Sequence, residues 1–374
     1  MARGNYIGVN NVARKGKKFY IGVNNIARRV KKAYVGVDGI ARLIFGGGEL
    51  AYYGVTPRAF QIARYRLSAT TVGNYALFAG GVKSDDGSAS TNRVDYYNSE
   101  LTGGYTHDLS ASRFGMASTT VGKYALFGGG HNDPTSTNYS TVDAYSDTLT
   151  HSTASSPLSA SRYDLGATTI GGHALFAGGS KVTSAGKWTH YNNVDAYNES
   201  LTKSTPTSLD FGRDSMGAVT VGNYALFGGG YSTTEGRYDI VDIYDANLTK
   251  MTSAKLSKAR YDLSATTIGN YALFGGGYGS SKLSVIDAFS SELVSLLPTE
   301  LSSPLTALAS TTLGEFALFG GEKIVNAYDE SLSRTIPTGL SASRSGLSAT
   351  TIGNYALFGG GTTATSVDVY TIKE

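Results

Sequence analysis

A glycine followed by an Ala-Leu-Phe segment recurs seven times in this sequence, after Gly73, Gly122, Gly171, Gly222, Gly269, Gly314 and Gly353. A fixed period decides architecture before any single residue does, because each repeat has to bury its apolar faces on its neighbours. Small and β-branched residues precede each marker, as in Leu67-Ser68-Ala69-Thr70-Thr71-Val72, and a strand such as Tyr75-Ala76-Leu77-Phe78 follows it. Then come glycines, a Val-Asp-x-Tyr strand such as Val94-Asp95-Tyr96-Tyr97, and a fourth segment opened by Leu101-Thr102. Four short strands per 39 to 51 residues predict the blades of a β-propeller.

The ends of the chain predict closure. After Val367-Asp368-Val369-Tyr370 only four residues remain, so the seventh blade has no fourth strand of its own. Glu49-Leu50-Ala51-Tyr52-Tyr53-Gly54-Val55-Thr56-Pro57 stands at the right distance before Arg64 to supply it. A strand from the front that completes the last blade leaves no sheet short of its outer strand. The expected fold is therefore all-β, a seven-bladed propeller over 49–374.

A second, 14-residue period occupies 1–45: Tyr6-Ile7-Gly8-Val9-Asn10-Asn11-Val12-Ala13-Arg14 and its copies from Tyr20 and Tyr34. Each copy reads as a β-hairpin whose central Asn-Asn or Asp-Gly pair tolerates a type I′ turn. Glycines at 46–48 read as a linker. The segment 1–45 carries ten Lys/Arg, among them Arg14, Lys15, Lys17, Lys18, Arg28, Arg29, Lys31 and Lys32, against Asp38 alone, hence +9. The rest has 22 basic and 28 acidic residues, hence −6. This split marks a basic attachment module beside a more acidic body. Charge alone does not choose between a protein, a nucleic acid and an anionic polymer as its partner; docking on a protein is the expectation, with nucleic acid disfavoured.

The residues of 49–374 resemble kelch-type propellers. The resemblance rests on a double glycine closing the second strand (Gly80-Gly81, Gly129-Gly130, Gly178-Gly179, Gly229-Gly230, Gly276-Gly277, Gly320-Gly321, Gly360-Gly361), an aromatic in the third strand and an Arg before the first. The Trp usual in the fourth kelch strand is replaced by Leu-Thr or similar, which makes the likeness a divergent one. The 14-residue repeats are similar to those at the N-termini of predicted structural proteins of phages and prophages of Gram-positive bacteria. That resemblance implies a virion component, of the tail tip, a fibre or another surface appendage. It would belong to a multimeric assembly built in the host cytoplasm and acting outside the cell.

An Arg stands nine residues before the marker glycine in six repeats, Arg64, Arg113, Arg162, Arg213, Arg260 and Arg344, with Leu305 in the sixth. One reading makes these a ring suited to an anionic sugar or phosphate polymer. The other pairs each with a third-strand Asp, namely Asp95, Asp143, Asp195, Asp242, Asp287 and Asp368. That Asp is replaced in the sixth repeat alone, by Asn326, and unpaired burial of either charge is costly. The second reading is the expectation.

No chemistry of catalysis is legible. The glycine runs lack Gly-Lys-Ser/Thr and an ensuing helix, and the five histidines have no paired metal-ligand spacing. With no cysteine, disulfides, thiol nucleophiles and the cysteine-modified tyrosine of galactose-oxidase chemistry are excluded. No metal and no cofactor are expected, and the protein is expected not to be an enzyme. The open alternative is a polysaccharide-active propeller whose loop acids Asp85, Asp86, Asp133, Glu235 and Asp239 converge, or a surface-binding lectin. No window approaches the roughly 18 apolar residues of a membrane span, so no membrane insertion is expected. The opening residues lack the apolar stretch of a secretory signal, which suits a particle released by lysis.

Recognition is expected on the loops between second and third strands, which run 12, 11, 14, 10, 8, 3 and 5 residues from the first repeat to the seventh. The long loops of repeats one to four hold His131, Tyr139, Trp188, His190, Tyr191, Tyr231 and Tyr238, residue types that stack on sugar rings or anchor protein contacts. Strand alternation puts these loops on the same face as the connections into each first strand. The expected partners are virion proteins through 1–48 and a host-surface glycan or protein through these loops.

Overall fold

Every Ala-Leu-Phe segment is the second strand of a four-stranded antiparallel sheet, and seven such sheets form a propeller ring. The structure is a computed structural model. It describes residues 6–9, 12–15, 19–23, 26–30, 33–37, 40–45, 48–83, 89–183, 185–362 and 364–373. The chain divides into two compact units, Met1–Leu50 with Ile372–Glu374, and Ala51–Thr371.

In the first unit three antiparallel pairs form, Tyr6–Val9 with Val12–Lys15, Phe19–Val23 with Ile26–Val30, and Ala33–Val37 with Ile40–Phe45. The registers Val9↔Val12, Val23↔Ile26 and Val37↔Ile40 leave two residues to connect each pair, the loop length that a type I′ turn serves. Those connecting residues, and Lys17, Lys18, Lys31 and Lys32, lie outside the described residues. Arg14, Lys15, Arg28 and Arg29 lie on the strands.

In the second unit the first blade is Ser68–Val72, Tyr75–Ala79, Val94–Asn98 and Gly103–Tyr105, and the second is Ala117–Val121, Tyr124–Gly128, Val142–Ser146 and His151–Thr153. The seventh joins Leu347–Ile352, Tyr355–Gly360 and Val367–Lys373 to Glu49–Val55, so the ring is latched by both ends of the chain. The amides of Thr56 and Phe60 continue the latch, donating to the carbonyls of Val367 at 2.9 Å and Thr365 at 2.8 Å.

The Ala-Leu-Phe order follows from pleating, which sends successive side chains to opposite faces. Leu77 packs toward the second blade with Ala125, Phe127 and Tyr145, whereas Phe78 packs toward the seventh with Leu357, Val367 and Val369. Both faces of each sheet are thereby buried. The Leu-Thr segments are not strand residues: Leu101 sits in the turn before the fourth strand at φ +61°, as do Leu149, Leu201, Leu248, Leu293 and Leu332 at φ +59° to +64°. A leucine in this region costs roughly 1–2 kcal/mol. At the first turn, burial of Leu101 and two amide bonds to Asn98 Oδ1, from Glu100 and Thr102, offset that cost.

The first strands line the axis and are tied by a belt of threonines. The hydroxyl of Thr120 donates to the carbonyl of Thr71 (2.6 Å), Thr169 to Thr120 (2.6 Å), Thr220 to Thr169 (2.8 Å) and Thr267 to Thr220 (2.6 Å). Thr312 donates to Thr267, Thr351 to Thr312 (2.6 Å) and Thr71 to Thr351 (2.7 Å), which closes the circle.

Candidate functional site

The Arg and Asp of each repeat meet within their own blade. Arg64 reaches Asp95 at 2.8 Å, Arg162 reaches Asp195 at 2.8 Å, Arg213 reaches Asp242 at 2.7 Å and Arg260 reaches Asp287 at 2.7 Å. Arg113–Asp143 and Arg344–Asp368 pair in the same way. All six guanidinium groups are buried and also donate to the carbonyl of the second-strand Phe, as Arg64 does to Phe78 at 3.1 Å. Burial pulls Arg344 down to about 10. In the sixth blade the buried apolar Leu305 is matched by uncharged Asn326. These groups are enclosed and offer no charge to a ligand.

The double glycine has its cause here. The amide of Gly81 donates to the carbonyl of Arg113 in the next blade at 3.0 Å, and a Cβ on Gly80 would lie 2.5 Å from that same oxygen.

Two residues beyond each Arg, and beyond Leu305 in the sixth blade, the chain turns into its first strand. Arg66, Gly115, Asp164, Ser215, Asp262, Ala307 and Gly346 all take φ between +49° and +65°. Each amide in this series donates to the carbonyl of the preceding member, and Arg66 donates to Gly346, so seven bonds of 2.7–3.2 Å close a backbone collar. Beneath it a cavity of about 270 Å3 is lined by Leu67, Met116, Leu165, Met216, Leu263 and Leu308. One backbone geometry thus presents different side chains around one mouth of the channel.

The mouth carries charge on one side. Arg66 bonds Asp164 at 2.5 Å and lies over the Phe114 ring at 4.5 Å. Asp164 is nonetheless raised above the usual carboxylate range, chiefly by burial, with Asp214 adding to the shift and Arg66 opposing it. Asp262 is raised to about 6, first by burial and then by the charge of Asp164.

The long loops bend over this side. Their backbones bond the residue after the Arg of their own blade, as in Phe114 to His131 (3.0 Å), Tyr163 to Ser180 (2.9 Å) and Asp214 to Tyr231 (3.0 Å). Rings from loop and mouth alternate in a continuous arc. Phe114 meets His131 at 5.6 Å, His131 stacks on Tyr163 at 5.0 Å, and Tyr163 meets Trp188 at 6.0 Å. Trp188 stacks with His190 at 6.1 Å, which meets Tyr231 at 6.2 Å; Tyr261 and Tyr278 continue the arc at 5.2 and 5.7 Å. In the fourth blade Asp214 takes the place of the ring, and its Oδ2 stands 3.3 Å from His190 Nε2. There a cleft of about 550 Å3 opens, lined by Arg66, Asp164, Asp214 and Asp262 together with Trp188, His190, Tyr231 and Tyr261. It has the makings of a ligand pocket: aromatic walls and a few converging polar groups.

Of the expected loop residues, His131, Trp188, His190 and Tyr231 join this arc. Tyr139, Tyr191 and Tyr238 do not. Their amides donate to Gly130, Gly179 and Gly230, all at 2.9 Å, and their carbonyls receive the amides of Arg162, Arg213 and Arg260 in the next blades, which are framework bonds. Among the described residues the loop acids do not converge: Asp133 contacts His131, Asp239 bonds Lys255 and Glu235 takes no part in the cleft, while Asp85 and Asp86 lie outside the described residues. The acids that do converge, Asp164, Asp214 and Asp262, belong to the short turns. Their signal in the sequence is variation between fixed neighbours, in Arg162-Tyr163-Asp164-Leu165, Arg213-Asp214-Ser215-Met216 and Arg260-Tyr261-Asp262-Leu263. Among the described residues no group of three or more acids and histidines is arranged to hold a metal.

Neither a scan against protein-family models nor a search of curated proteins finds a match. Among solved structures the chain is similar to a propeller titled "Structure of YjhT", with a TM-score of 0.56 and 11% identity, over 80% of this chain and 98% of that one. At that identity the likeness is one of fold.

Proposed function

We propose that this protein is a non-enzymatic component of a bacteriophage-type virion, of kelch-like architecture, whose propeller recognises a glycan on the host surface through the cleft at its mouth. The observation that carries this reading is the cleft itself, where Trp188, Tyr231 and Tyr261 stand beside Arg66, Asp164, Asp214 and Asp262. Flat aromatic faces cover the apolar faces of sugar rings, and carboxylates and guanidinium fix hydroxyl directions. The basic repeats in 1–45 serve as the attachment module, docking on acidic surfaces of neighbouring virion proteins; their +9 charge and their likeness to phage N-terminal repeats support this.

The test is an array of bacterial cell-wall and capsular glycans probed with the full chain. Binding to a defined glycan that Trp188→Ala abolishes supports the reading, and a blank array refutes it.

A second reading is favoured by one observation. Asp262, raised to about 6 by burial and by Asp164, keeps its proton to a higher pH than an ordinary carboxyl, as the general acid that cleaves a glycosidic bond must. Incubating the chain with the bound glycan and weighing the products by mass spectrometry decides it: intact glycan keeps the protein a binder, and shortened glycan makes it a hydrolase.

A further inference from the structure

Within the reading of the cleft as a glycan site, its charges specify the kind of sugar. We infer that the cleft receives a sugar residue bearing a free amine, with its ammonium group seated between Asp262 and Asp214 and against the rings of Tyr261 and Tyr231.

The turns into the first strands bring Arg66, Asp164, Asp214, Ser215, Asp262, Tyr261 and Ala307, and the long loops bring Trp188, His190, Tyr231 and Thr233. Three carboxylates therefore face one permanent cation. That cation is committed, since Arg66 is held by Asp164. Asp262 forms no ion pair among the described residues, and Asp214 has within reach only His190, which is neutral unless protonated.

The His190 side chain is 7% exposed, and its Nε2 makes no hydrogen bond with any described residue. A buried polar nitrogen at the cleft wall whose polar neighbour, Asp214 Oδ2 at 3.3 Å, makes no hydrogen bond with it is a place for a ligand hydroxyl to bond. Carboxylates raised by burial and by one another mark an excess of negative charge that a bound cation relieves. Aromatic faces around the same cavity add the attraction of their ring quadrupoles for an ammonium group. An anionic sugar would bring further negative charge, and an N-acetylated sugar would leave the excess uncompensated.

Calorimetry of the full chain near neutral pH and low salt separates these ligands. The probes are a deacetylated chito-oligosaccharide, its N-acetylated counterpart of equal length, an oligogalacturonate and an oligolysine peptide. The deacetylated probe is expected to bind at least about tenfold more tightly than the N-acetylated one. Asp262→Asn should shrink that preference to about twofold, with the larger loss of affinity falling on the deacetylated probe. Residue 262 lies at φ +54°, a conformation asparagine adopts readily, so this variant keeps the collar, and an unchanged melting curve near pH 4 confirms it. Equal binding of the two chito-oligosaccharides, or tighter binding of the galacturonate, overturns the inference and leaves the glycan reading standing. Tighter binding of oligolysine than of any sugar overturns it in favour of a protein partner. No binding of any saccharide, together with a blank glycan array, overturns both.

Discussion

The threonine belt and the backbone collar are neighbouring rings around one axis, built from the same seven repeats, yet they differ in what they permit. In the belt the side chain itself makes the bond between blades, so its identity repeats at all seven positions, from Thr71 to Thr351. In the collar the amides and carbonyls make the bond, and the side chains are left over: Arg66, Gly115, Asp164, Ser215, Asp262, Ala307, Gly346. A repeat protein can vary its chemistry where the backbone carries the structure, and that is where the candidate site lies.

The largest effect is expected where the side chain itself is structural. Arg260→Leu leaves Asp287 buried without its cation, and a loss of about 3–5 kcal/mol in denaturant unfolding is expected. Adding Asp287→Asn should recover most of that loss, because the sixth blade already holds a buried leucine and asparagine, Leu305 and Asn326, at these places. No recovery would mean that the sixth blade is stabilised by something other than this exchange.

Next in size is a collar residue. Asp262 is raised to about 6 by burial and by Asp164, so between about pH 4 and pH 6 the folded chain keeps a proton that the unfolded chain releases. Its contribution to stability is therefore full below about pH 4 and is lost as pH rises through 6. Asp262→Asn should be more stable than the parent near pH 7 by on the order of 2 kcal/mol, and no different near pH 4. Stabilities that run parallel across this range would contradict the assignment.

Trp188→Ala should weaken glycan binding by at least about tenfold and leave unfolding unchanged, since this ring is 43% exposed on a loop. The smallest effect is expected in the belt. Thr220→Val removes a hydroxyl that bonds both the carbonyl of Thr169 and the hydroxyl of Thr168 and should cost about 1 kcal/mol, and a neutral result would show the belt to be incidental.

Much of the fold was legible because it is written seven times. The marker glycines, the Arg and Asp missing together in the sixth repeat, and a fourth strand absent at one end and present at the other each had a mechanical reading. The site was legible in part. Loop length pointed to Trp188, His190, His131 and Tyr231, but the acids hide in the shortest turns. There the series Arg, Gly, Asp, Ser, Asp, Ala, Gly reads as ordinary turn composition, because aspartate and glycine are the residues that tolerate positive φ. Only the closing of seven turns into one collar brings Asp164 and Asp262 to the same wall. Tyr139, Tyr191 and Tyr238 stand outside the arc, as loop aromatics whose backbones are committed to the framework.

Trp188 is the single tryptophan of the chain and stands in the cleft wall, so its fluorescence reports on this place alone. Titrating the full chain with a glycan that binds by calorimetry, while following that emission, tests the central claim. The account predicts a saturable change in tryptophan emission with the midpoint found by calorimetry. Calorimetric binding with unaltered emission would put the ligand elsewhere on the protein and contradict it.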